Sequence, residues 1–131
     1  MTTTARPPSY GSGIHPYMDK QRLVPAYSAR RLQDGTTLIT AEIRLTFGWN
    51  RDQVTVEFLL PIPYPNAQPD CFFVDADLRL VGGGMPTNSG LQVLDGQPRL
   101  WFSWHVTSWN PAVDNIDSYL RFIESRLRDA R

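Results

Sequence analysis

The chain has 131 residues, enough for one ordinary domain and short for two. Apolar residues make up 41% and charged residues 20%, too apolar for a disordered chain, and 13 basic against 13 acidic side chains leave no net charge to gather nucleic acid or an anionic membrane. Its one cysteine, Cys71, excludes an intramolecular disulfide and a four-thiolate zinc site.

In chain order, residues 1–20 are rich in threonine, proline and glycine and carry no periodicity, which predicts a flexible tail. The tail holds no apolar stretch of a secretory signal, and runs such as Phe58-Leu59-Leu60, ended by Pro61, are far below the roughly 18 apolar residues of a membrane span. A cytoplasmic protein without a membrane partner is the expectation, with one folded domain over 21–131.

From Tyr27 the pattern is that of strands. Asp34-Gly35 predicts a tight type I′ hairpin. Ile39, Ala41, Ile43, Leu45 and Phe47 then alternate with polar residues, as do Val54, Val56, Phe58 and Leu60 after the turn at Gly48 to Asp52. These segments predict a three-stranded antiparallel meander. Pro61, Pro63, Pro65 and Pro69 end it, because each removes a ladder donor, and Phe72-Phe73-Val74 reads as a fourth strand. Val81 to Gly90 reads as a flexible loop, followed by a small hairpin around Asp95-Gly96.

Asn110 and Pro111 read as the N-cap and first position of a helix, with Asp114 and Asp117 favouring the positive end of its dipole. Ile116, Tyr119, Leu120, Ile123 and Leu127 share one face, and Arg121, Arg126, Arg128 and Arg131 suit the negative end of its dipole. The expected fold is α+β: an antiparallel β-meander of about four strands covered by a C-terminal helix.

The turn Tyr64-Pro65-Asn66-Ala67-Gln68-Pro69 before Phe72-Phe73-Val74, and the step Trp109-Asn110-Pro111 into a helix, resemble the corresponding segments of ubiquitin-conjugating (UBC) folds. The longer run Pro63 to Asp75 is similar to prokaryotic ubiquitin-conjugating family E, and the resemblance covers about residues 27–128. It implies a UBC-like domain in a bacterial ubiquitin-like protein conjugation pathway, with a ubiquitin-like protein and an activating enzyme as partners.

The chain departs from the active members of that fold at the acceptor. They carry a His-Pro-Asn segment and then an acceptor cysteine before the helix, as the resemblance goes. Here Met85-Pro86-Thr87-Asn88 echoes the first only weakly, and no cysteine lies between Gly82 and Trp109. Thioester transfer needs a thiolate, and Cys71 falls too early, in an apolar run that predicts a buried structural thiol. Thr87 and Ser89 are the candidate hydroxyl acceptors, with His105 as the base. Trp101-Phe102-Ser103-Trp104-His105 resembles an aromatic segment ending in histidine in family E.

Trp101, Trp104 and Met85 are the candidate partner-binding residues, since aromatics concentrate at interface hot spots. Gly82-Gly83-Gly84 lacks the Lys-Ser/Thr of a phosphate loop, and Asp70, Asp75 and Asp77 lack the glycine and closing glutamate of a calcium loop. Two distant histidines and one cysteine suggest no zinc site, so neither cofactor nor metal is expected. Two readings follow: an adaptor that positions a ubiquitin-like protein, or a non-standard carrier that holds it as an oxyester. The alternative is an unrelated α+β protein-binding domain without a conjugation role.

Overall fold

The computed structural model describes residues 25–131. The tail expected over 1–20, with His15, therefore lies outside the described residues. Among the described residues six strands form one antiparallel sheet: β1 (Tyr27–Arg31), β2 (Thr37–Arg44), β3 (Gln53–Leu60), β4 (Phe72–Asp75), β5 (Ser89–Leu94) and β6 (Gln97–Phe102). Their spatial order is β1-β2-β3-β4-β6-β5. Among the described residues one helix, α1 (Ile116–Leu127), follows. The α+β class, the antiparallel meander and the C-terminal helix are as expected. The strand count is six because the hairpin after the loop joins the same sheet beyond β4. Among the described residues no helix is long and apolar enough to cross a membrane.

The two hairpin turns solve the same problem differently. Asp95 and Gly96, at φ 50° and 79°, form the two-residue loop between the paired Leu94 and Gln97, as a type I′ turn requires. At the first hairpin Gly35 alone has positive φ, 92°, and the loop is longer: Leu32 N–H donates to Thr36 O and Gly35 N–H to Leu32 O. The tight type I′ turn expected there gives way because Asp34 stays out of the left-handed region and instead accepts hydrogen bonds from the Thr36 N–H and hydroxyl at its Oδ1.

Helix α1 begins at Ile116, later than Asn110-Pro111 predicted. Asn115 is its N-cap, with Asn115 and Ser118 satisfying each other's backbone N–H groups in a capping box. Asn110 caps only its own turn, accepting from Ala112 N–H. Tyr119, Leu120, Ile123 and Leu127 are buried against one face of the sheet with Ile39, Val54, Val56, Phe58, Phe72, Val74, Leu100 and Phe102. Ser89 and Gly90, expected in a loop, begin β5, where they pair with Phe102 and Trp101.

The other sheet face is also partly closed. Five strand intervals of a flat sheet would hold its edges roughly 24 Å apart, at about 4.8 Å each. Yet Arg30 of edge strand β1 meets Asp95, at the tip of the β5–β6 hairpin, at 2.7 Å. The sheet is strongly curled, and Leu38, Leu94 and Glu57 are buried on its concave side, where Glu57 accepts a 2.7 Å bond from Arg99.

Pairing along the sheet is uneven. Strands β2 and β3 share eight residue pairs, whereas β3 and β4 share two, Val56 with Val74 and Glu57 with Phe73. Just past them the Asp75 carboxylate replaces the ladder, accepting the Thr55 N–H at 2.9 Å.

Candidate functional site

The site forms where β4 begins and β6 ends. Phe72 pairs with Phe102, so antiparallel register sets Asp70 and Cys71 opposite the segment Ser103 to His105. The Cys71 N–H donates to Trp104 O at 3.2 Å, and the Ser103 N–H to Asn88 O at 2.8 Å. The proline-rich turn locks onto the same strand exit. Gln68 donates to Val106 O at 3.0 Å, and the Trp109 indole N–H donates to Pro65 O at 2.8 Å.

Ser103 and His105 are two residues apart just past the end of β6, and their side chains meet on one side. The His105 Nδ1 lies 2.6 Å from Asp70 Oδ1, and its Nε2 lies 3.1 Å from Ser103 Oγ. An ionised carboxylate can only accept, so Nδ1 carries the proton and donates to Asp70. In a neutral imidazole that leaves the Nε2 lone pair to accept the Ser103 O–H. The chain Ser103–His105–Asp70 thus holds a hydroxyl on a ring nitrogen poised to take its proton. It faces solvent: the side chains of His105 and Asp70 are 55% and 62% exposed.

Beneath this chain lies Cys71. It is buried, and its backbone sits in the left-handed region at φ 61°, which L residues rarely adopt. Two contacts hold it there besides its own N–H bond: the Tyr119 hydroxyl donates to Cys71 O at 2.7 Å, and Sγ lies 3.9 Å from His105 Nδ1. Burial pushes the thiol pKa up, and the neighbouring Asp70 carboxylate adds to the rise.

Both Cys71 and Tyr119 are neutral acids whose pKa burial raises in the folded state. Unfolded, they titrate near their ordinary values, about 8.5 and about 10. The stability this contributes is therefore complete below those values and falls as pH rises past them, because the unfolded chain then loses protons the folded chain keeps. The urea midpoint is expected to drop between pH 8 and 11. Tyr119→Phe should flatten the upper part of that drop, and Cys71→Ala the lower. An unaltered pH slope in both variants would reject this assignment.

The other expected residues lie apart from this chain. Ser89 donates its hydroxyl to Pro86 O at 2.6 Å, and Thr87 is exposed with its N–H on Arg131 O. Among the described residues neither hydrogen-bonds His105. Met85 is exposed, Trp101 is half-buried, and Trp104 packs against Phe122 with ring centroids 5.8 Å apart. The sequence reading missed Ser103 and Asp70 as partners of His105. The Ser-x-His spacing was a signal for the first; nothing local signalled the second.

A family model described as prokaryotic E2 family E matches residues 17–130. Neither a curated protein nor a solved structure matches the chain.

Proposed function

The chain belongs to prokaryotic E2 family E, a membership that suggests a role in a ubiquitin-like conjugation pathway, and from that premise we propose that it is a non-standard carrier whose acceptor is a hydroxyl. Ser103 is the acceptor, His105 the general base, and Asp70 the group that fixes the tautomer and orientation of the ring. The observation carrying this reading is the bonded chain Ser103 Oγ, His105 Nε2, His105 Nδ1, Asp70 Oδ1.

Ser103 Oγ attacks the C-terminal acyl carbon of a ubiquitin-like protein held as a thioester on its activating enzyme. The Oγ–C bond forms, the C–S bond breaks, and the Ser103 proton passes to His105 Nε2. From there it goes to the departing thiolate, so the products are an oxyester and a free thiol. No redox partner is needed.

Intact mass after incubation with ATP, the activating enzyme and the ubiquitin-like protein tests this. Wild type should gain one modifier in a bond that resists thiol reductant and yields to hydroxylamine, and Ser103→Ala should not. Loss of the adduct in Ser89→Ala or Thr87→Ala instead would move the acceptor to the loop. A reductant-sensitive adduct lost in Cys71→Ala would make it a thioester carrier.

One observation favours the adaptor reading. On edge strand β5, Leu91 and Val93 are 62% and 70% exposed, beside a row of unpaired backbone groups that a partner could engage. A stable complex without any adduct in the same incubation would select it.

A further inference from the structure

Asp70, Cys71 and His105 bring three donors of different chemistry together, with a carboxylate oxygen, Sγ and Nδ1 all within 4.8 Å of one another. We infer that these three residues form a zinc site with an open fourth position, a role independent of the carrier reading. Thiolate, imidazole and carboxylate are the ligand types zinc takes, and three protein ligands plus one free position is the arrangement of its reactive sites.

The spacing fits with small movements. Tetrahedral coordination sets sulfur and imidazole nitrogen about 3.5 Å apart and nitrogen and oxygen about 3.3 Å apart. The Sγ to Nδ1 distance is 3.9 Å, and Nδ1 to Oδ1 is 2.6 Å, so the first contact must close and the second open by less than an ångström each. The part that must stay fixed is Cys71, whose left-handed backbone is bonded through both its N–H and its carbonyl. His105 and Asp70, more than half exposed, are free to adjust and leave an entry path.

The surroundings also suit a metal. Ser103 Oγ sits on His105 Nε2, the place of the outer partner that orients a ligating ring. Zinc uptake releases the Cys71 thiol proton and moves the His105 ring proton from Nδ1 to Nε2. Metal and base thus use His105 in opposite tautomers, so zinc would silence any transfer through Ser103.

Titration of the metal-free full chain with Co²⁺ alone tests the site, since Co²⁺ replaces zinc and absorbs light. A thiolate-to-cobalt charge-transfer band in the near ultraviolet, with visible bands of tetrahedral intensity and displacement by Zn²⁺, is the expected result. Cys71→Ser should lose the ultraviolet band, and Ser103→Ala should weaken binding about tenfold. Asp70→Asn changes an exposed side chain and guards against misfolding of the cysteine variant; it too should weaken binding. No charge-transfer band in wild type, or an unchanged one in Cys71→Ser, overturns the site. The spectrum needs no activating enzyme, so its outcome is separate from that of acyl loading.

Discussion

His105→Ala is expected to slow loading of the ubiquitin-like protein about 10²- to 10⁴-fold, the range over which a positioned general base acts. A serine hydroxyl is a weak nucleophile until a base takes its proton, and Nε2 at 3.1 Å is the nearest such base. Asp70→Asn should fall by a similar factor for a different reason. Its amide can donate to Nδ1, which stabilises the tautomer with a proton on Nε2, and that nitrogen can no longer accept from Ser103. Both side chains are more than half exposed, so neither change should move the urea midpoint much. The measurement is the single-turnover rate of adduct formation followed by intact mass. Equal rates in wild type and both variants would remove His105 from the chemistry.

Arg126→Ala should cost at least about 3 kcal/mol of stability, through the cavity it leaves and the carbonyls it orphans. Arg126 is 1% exposed. Its guanidinium lies 5.0 Å from the Phe102 ring centre, 5.7 Å from Trp104 and 6.0 Å from Trp49. It donates to the carbonyls of Asp129, Thr87 and Arg131 at 2.9, 3.0 and 2.9 Å. Burial, reinforced by the nearby Arg131, pulls its pKa below the ordinary arginine value. No carboxylate side chain bonds it among the described residues, so backbone oxygens and aromatic faces compensate the charge. Arg126→Met refills most of the volume without supplying donors and should fall between wild type and alanine in urea unfolding. Wild-type stability in the methionine variant would show that the hydrogen bonds contribute nothing.

That arginine also marks a limit of reading by pattern. In sequence it belongs to a basic cluster suited to a helix C-terminus, indistinguishable from Arg128 beside it. Its burial depends on where the segment carrying Thr87 and the chain beyond α1 come to rest, and no local signal encodes that. Strands β2 and β3 were legible because a half-buried strand writes its register as alternation, and the buried face of α1 because helical spacing does the same. The start of α1 was not, since Asn110 and Asn115 are equally good caps by type. What decided between them was Ser118, three residues after the second.

The site divides in the same way. His105 stood out as one of two histidines. Asp70 did not, because it lies 35 residues away and is brought in by pairing of β4 with β6 across the intervening loop and β5. Cys71 was legible as buried, but its approach to His105 rests on that same pairing.

The two-pair ladder between β3 and β4 leaves that seam to other contacts: Asp75 takes the Thr55 N–H, Glu57 takes Arg99, and one apolar core includes residues of both strands. On one side stand β1 to β3, joined along their full lengths; on the other, β4, β6 and β5 form a second paired group. Asp70, Cys71, Ser103 and His105 all belong to the second group. Ion pairs that cross the seam, Arg99 with Glu57 and Arg30 with Asp95 among them, involve none of these four side chains. A substitution in those pairs would act on the joint between the two groups of strands and leave untouched the register that sets Asp70 against His105.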